Sequence, residues 1–180
     1  MELSEILKND KLSVVIKFLY QWNLISLINK NIKVDNNFLR GIGWIKRLNG
    51  NIMLYLLKDS ELLEEQCDRF YINKKERKAL YEYLKFKNII KINTEKYKLY
   101  SPSQWTKFIE ENCINKETIK LIISDGGLFW RPLFKWLYIY KHIQSNKNGT
   151  KLMEEGWPEG KAIGDELKRL RYIQIDNFQK

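Results

Sequence analysis

The carboxylates are the most obvious candidates for chemistry in this chain, but their spacing does not suit it. Seven aspartates occur and none lies two positions from another, so no Asp-x-Asp pair is present to hold two metal ions. Glu64-Glu65 and Glu110-Glu111 are adjacent pairs, and adjacent side chains on a helix point about 100° apart. These pairs therefore do not face one substrate as acid and base, and the sequence predicts no catalytic carboxylate.

Nucleophiles and metal ligands are equally sparse. His142 is the only histidine, and nothing places a Cys or Ser nucleophile beside it. Cys67 and Cys113 lie far apart without a CxxC partner, which argues against a zinc site and against a disulfide scaffold. No GxGxxG or phosphate loop occurs, and the Gly-Gly segment 126–131 indicates a helix–helix turn because no strand follows it. We therefore expect no metal and no cofactor in this chain.

Basic residues carry a clearer signal. The formal net charge is +10, and a field of that sign attracts polyanions. Residues 69–98 hold ten Lys and Arg against three Glu, a local net charge of +7, with tyrosines interleaved. Cations beside stacking rings are what RNA contact requires, although a solvated lysine-rich face over core tyrosines gives the same pattern. The candidate RNA-binding residues here are Lys74, Lys75, Arg77 and Lys78, with a second group at Arg131 and Lys135.

A turn near the C-terminus gives the most specific local pattern. Pro158 suits the first position of a helix, and Gly160 and Gly164 lie four residues apart on one face. Without Cβ atoms they admit a second backbone, which is either a neighbouring helix or a sugar-phosphate chain. The candidate RNA-binding residues of this segment are Gly160, Lys161, Gly164, Lys168, Arg169 and Arg171.

Helices must position these residues, because apolar side chains recur every three or four positions along most of the chain. Helix starts are predicted at Asp35 or Asn36, at Asn73 with Glu76, at Ser101-Pro102 and at Asn115. Residues 128–144 are expected to form one long aromatic helix. Residues 88–100 alternate more nearly like a strand, so a short hairpin is an alternative there.

The predicted fold class is all-α, with an irregular multi-helix body followed by a small helical tail. The body covers 1–145 and the tail 149–180, with the polar segment 145–149 as the linker. No stretch approaches the roughly 18 apolar residues that a membrane helix needs, and the acidic N-terminus lacks a signal core. We therefore expect no membrane partner and a location in the cytoplasm or in an organelle matrix or stroma.

The tail resembles a known family. Its pattern consists of Gly149, Leu152-Met153, Gly156, Pro158, Gly160, Ile163-Gly164, Leu167 and Gln174-Ile175. It is similar to the C-terminal end of class II tRNA nucleotidyltransferases and the related bacterial poly(A) polymerases. It differs at Glu159 and Lys161, where that family usually has Gly and Pro. Weaker similarities at 2–7, 24–28 and 72–80 follow the neck and body of the family in the same order.

This resemblance implies a division of labour. In the family a head domain binds CTP and ATP at two metal-bound carboxylates, while the body and tail hold the tRNA acceptor stem and elbow. The chain has counterparts of the body and tail only. It is therefore expected to bind tRNA or another structured RNA and to lack activity alone. It is either a fragment of a longer chain, cut after the neck, or a split-gene product whose separately encoded head carries Mg. The alternative is a helical protein-interaction module with a partner surface of Trp and Tyr.

Overall fold

A computed structural model describes residue 7, residues 11–112 and residues 114–178. Within these residues the chain is all-α and has no strand, which confirms the predicted fold class. Two 3-10 turns, Ile25–Leu27 and Tyr140–His142, supplement the α-helices. The α-helices are α1 Leu12–Gln21, α2 Asn36–Arg47, α3 Ile52–Leu57, α4 Leu63–Arg69, α5 Lys74–Ile92, α6 Thr94–Lys98, α7 Pro102–Glu111, α8 Lys116–Asp125, α9 Trp130–Tyr138, α10 Gly149–Glu154 and α11 Lys161–Asn177.

Side-chain caps define several helix starts, as the sequence predicts. Asp35 accepts from the amide of Phe38, and Asn115 accepts from the amides at 117 and 118. Asn73 and Ser101 each form a reciprocal capping box, which satisfies two amide groups that the first helical turn leaves unpaired. At the other end of α8, Gly126 adopts a left-handed φ of +70° and ends the helix, where the sequence predicts the start of a helix–helix turn.

The chain divides into two compact units. The first comprises Met1–Thr94 and Ile114–Arg131, and the second comprises Glu95–Cys113 and Pro132–Lys180. The residues of the predicted tail thus share a unit with parts of the predicted body. The boundary at 145–149 stays a prediction.

The core of the first unit is built where α8 packs against both α2 and α5. Ile42 and Ile45 of α2, Ile119 of α8 and Leu80 of α5 are almost completely buried. Apolar burial of this kind contributes about 1.5–3 kcal/mol for each large side chain. The opposite face of α5 stays in solvent, which makes this helix a rigid support for exposed residues.

The second unit is organised around α7, α10 and α11. Trp105 and Ile109 of α7, Leu152 of α10 and Ile175 of α11 are buried. The Asp176 carboxylate accepts from both the amide and the hydroxyl of Ser103, at 2.9 and 2.7 Å. These bonds tie the end of α11 to the start of α7.

Two local predictions are wrong, and one alternative is not adopted. The alternative hairpin at 88–100 does not form, because α5 continues to Ile92 and α6 follows at once. Pro158 precedes α11 instead of opening it, since the helix begins at Lys161 after the left-handed Gly160. The long helix predicted over 128–144 is shorter, and α9 ends at Tyr138 before a 3-10 turn.

Cys113 and residues 2–6 lie outside the described residues, so the predictions made for them stay predictions. None of the helices in the described ranges combines the length and the apolar character that a membrane span requires.

Candidate nucleic-acid interface

Helix α5 presents a basic groove along its solvent face. Its core face carries Ala79, Leu80, Tyr83 and Phe86, which leaves the side chains on the other face exposed. The groove is a shallow, open depression of about 390 Å³, and it is lined by Lys74, Arg77, Lys78, Tyr81, Glu82 and Lys85. Three of the four residues predicted at 74–78 are thus brought together, while Lys75 is exposed outside the lining.

Two of the groove residues are held by acidic partners from α4. Arg77 pairs with Asp68 at 2.5 Å and with Glu64 at 3.4 Å, and its Nε donates to the Ile72 carbonyl at 2.8 Å. The Tyr81 hydroxyl donates to the Glu64 carboxylate. That hydrogen bond raises the pKa of Tyr81 to about 12. Arg77 and Tyr81 therefore form fixed walls of the groove.

The remaining cations are available to a ligand. Lys78 lies 3.7 Å from Glu82, a weak contact for an ammonium that is 67% exposed. Lys74 and Lys85 are exposed, and in the part of the chain that the structure describes neither forms an ion pair. The groove thus offers three ammonium groups that a polyanion can reach.

The second predicted group lies on one helix, since Arg131 and Lys135 are four residues apart on α9. The Arg131 guanidinium lies over the Trp130 ring, 5.5 Å from its centroid, in the first unit. Lys135 belongs to the second unit and lines a different cavity with Ile139, Tyr140 and Phe178. Both side chains are exposed and lie one turn apart on the same face of this helix.

The predicted tail residues fall into two classes. Lys161 and Lys168 are exposed and have no ion pair within the described ranges. Arg169 instead pairs with Glu166 through two bonds of 2.7 Å. Arg171 forms two 2.8 Å bonds to Glu110 and donates to the carbonyl oxygens at 140 and 143. Arg171 therefore stabilises the second unit.

The two tail glycines differ in backbone conformation, while the space around both is open. Gly160 adopts a φ of +105°, a conformation that favours glycine, directly before the first residue of α11. A Cβ atom added at Gly164 would meet no atom within 4 Å. The described residues therefore give no support to a helix-packing role for Gly164, and this position is open to an outside partner.

A charge cluster that the sequence did not reveal lies in the first unit. The Lys58 ammonium is nearly buried and contacts Asp59 and Asp125, each at 2.5 Å. Asp125 also accepts from the Tyr83 hydroxyl at 2.9 Å, and Asp59 accepts from Lys87 at 2.8 Å. Burial and the nearby Asp125 charge raise the pKa of Tyr83 far above its ordinary value. These paired groups stabilise the junction of α3, α5 and α8.

The described residues contain no group of three or more His, Cys, Asp and Glu placed to hold a metal ion. The expectation that the chain itself binds no metal or cofactor stays a prediction.

Comparison with protein-family models, with curated proteins and with solved structures found no match. The family resemblance of the tail therefore rests on its sequence motif alone.

Proposed function

We propose that this chain binds structured RNA, and tRNA in particular, through the basic groove of α5. The observation that carries the proposal is the row of reachable ammonium groups on a single helix face, at Lys74, Lys78 and Lys85. A helix rises about 1.5 Å per residue, so the row extends over roughly 16 Å. Lysines fixed along a rigid element can neutralise several phosphates of one backbone without ordering a loop.

The test is the salt dependence of tRNA binding. Replacing Lys74, Lys78 and Lys85 together by Gln is expected to weaken binding. Each phosphate contact contributes about 0.7–0.9 to the slope of log K against log salt, so the triple variant should lower the slope by about 2. Affinity would be measured by fluorescence anisotropy between about 50 and 200 mM salt.

A matched control removes the same charge elsewhere. Lys17, Lys30 and Lys33 are exposed residues of the same unit that lie outside the groove. Their Gln variants should leave the slope nearly unchanged. Equal slopes for the two triple variants would show that the field of the whole protein, and not the groove, attracts RNA.

The resemblance of the tail supports a narrower proposal. In this form the chain is the body and tail portion of a CCA-adding or poly(A)-adding nucleotidyltransferase that acts in tRNA processing in the cytoplasm or an organelle matrix. A catalytic head domain, either part of a longer chain or separately encoded, would supply the Mg²⁺-binding carboxylates. The pure chain, incubated with labelled CTP or ATP, Mg²⁺ and tRNA, is then expected to incorporate no label. Incorporation that survives repurification would refute this division of labour.

A second candidate function rests on α1. Val14, Phe18 and Trp22 follow at intervals of four residues and are 45%, 49% and 68% exposed. The Phe18 and Trp22 rings lie 5.8 Å apart and form one apolar surface. Such a surface favours a protein-interaction module. If that is the function, replacing Phe18 and Trp22 by Gln should abolish partner binding, whereas the lysine variants should not.

A further inference from the structure

Tyr71 occupies a backbone position that normally belongs to glycine. Helix α4 ends in a Schellman motif, in which the Ile72 amide donates to the Cys67 carbonyl at 2.8 Å and the Tyr71 amide to the Asp68 carbonyl at 3.1 Å. Tyr71 has a φ of +53°, and its side chain is 93% exposed. A bulky residue in the left-handed region is strained, and such strain is often retained at binding sites.

A cavity lies beside this ring. It encloses about 360 Å³, within the range of small-molecule sites. Its walls are largely apolar, and Ile52, Met53 and Phe70 line it together with Tyr71. This is a concave surface with an exposed aromatic ring at its edge.

Two polar side chains complete the lining. The side-chain amide of Asn51 donates to one carboxylate oxygen of Glu76 at 2.7 Å. The other Glu76 oxygen accepts from the backbone N–H of Asn73 at 3.2 Å. Both side chains are thereby fixed in place. Apolar faces with a fixed hydrogen-bonding edge match the chemistry of a nucleobase, which has flat π faces and a polar rim.

We propose that this cavity holds one unpaired base of the bound RNA, stacked on Tyr71. Lys74 and Lys75 follow Tyr71 within four residues and are exposed, so they can contact the phosphates that flank the base. Base–aromatic stacking tolerates any sequence, because every base has a π face. The inference rests on the proposed RNA-binding function and adds to it a preference for an unpaired nucleotide.

The test compares two RNA hairpins, one blunt and one with a single-stranded 3′ extension. Tyr71→Gly removes the ring and also relieves the left-handed strain, so its melting temperature should rise by a few degrees. Its affinity for the extended hairpin should fall roughly 5- to 100-fold, and its affinity for the blunt hairpin should not change. Tyr71→Phe keeps the ring and should bind both hairpins like the unaltered chain.

Asn49→Gly is the matched control. Asn49 has a φ of +50°, so this variant also places glycine at a left-handed backbone position, but it removes no ring. Its affinities for both hairpins should equal those of the unaltered chain. If Tyr71→Gly binds the extended hairpin normally, or loses both hairpins equally, the base-pocket inference is overturned while RNA binding stands. If the unaltered chain binds neither hairpin, the proposed function itself fails.

Discussion

Gly41 lies so close to Tyr55 that a Cβ atom added at residue 41 would stand 1.9 Å from the Tyr55 hydroxyl oxygen. The same atom would lie 2.6 Å from the carbonyl oxygen of Ser124. The contact with Ser124 involves backbone, which cannot move as a flexible side chain does. The close packing of α2 on α8 therefore requires glycine at this position.

Gly41→Ala is expected to destabilise the protein by about 1–3 kcal/mol or more, because the added methyl group overpacks the helix contact. Gly43 lies in the same helix, and a Cβ atom there would meet no atom within 4 Å. Gly43→Ala should be stabilising by up to about 1 kcal/mol through helix propensity. Urea unfolding followed by circular dichroism measures both, and a similar effect of the two changes would refute the packing argument.

Replacing Arg171 by Met is expected to destabilise the chain by about 2–4 kcal/mol, because it leaves the Glu110 carboxylate and two carbonyl groups without their donor. The Arg171 side chain is only 20% exposed. Lys107→Met is the comparison, since Lys107 and its partner Glu111 are 57% and 63% exposed and their pair is screened by water. Thermal melting should show a clear loss for residue 171 and little for residue 107.

Asp59 should make stability sensitive to acid. Burial alone would raise its pKa, but the charges of Lys58 and Lys87 and their hydrogen bonds outweigh burial and hold the pKa below the ordinary 3.8. The stability that this carboxylate contributes is therefore present above about pH 3.8 and is lost as the pH falls through the lower folded value. Asp59→Asn should flatten that acid-side loss in melts between about pH 2.5 and pH 7. Asp165→Asn, at an exposed residue, should not change its shape.

Gly164→Leu separates a binding role from a packing role. The space around Gly164 is open, so the variant should keep its melting temperature or gain slightly from helix propensity. If an RNA backbone passes this face, the leucine should block it and weaken tRNA binding in a gel shift. Gly164→Ala adds only one methyl group and should weaken binding less. A lower melting temperature with normal binding would exclude the RNA role for this position.

Local signals were sufficient to predict several helix ends. The Asn73–Glu76 box, the Ser101-Pro102 start and the Gly126 stop each depend on side chains within four residues, so the sequence contains them directly. Segment 88–100, for which a hairpin is only the alternative prediction, is mostly helical. Its alternation extended over few residues, and the end of the long helix α5 determined the outcome instead.

The pairing of charges could not be predicted in the same way. Lys58 meets Asp125 across 67 positions of sequence, and Arg171 meets Glu110 across 61. The neighbouring sequence does not distinguish Arg171, which is paired with Glu110, from Lys168, which is exposed. The density of basic residues therefore indicated the position of the groove. It did not show that cations such as Arg77 and Arg171 are already paired with carboxylates.

The burial of Lys58 between two aspartates also governs its chemical reactivity. An amine attacks an acylating reagent only through a free lone pair, and the Lys58 nitrogen is occupied by carboxylate contacts and shielded from solvent. Mild acetylation of the folded chain should therefore label exposed lysines, such as Lys74 and Lys85, before Lys58. Lys58 should react only when the first unit opens. The rate at which Lys58 gains an acetyl group, followed by mass spectrometry, would report how often that unit opens in solution.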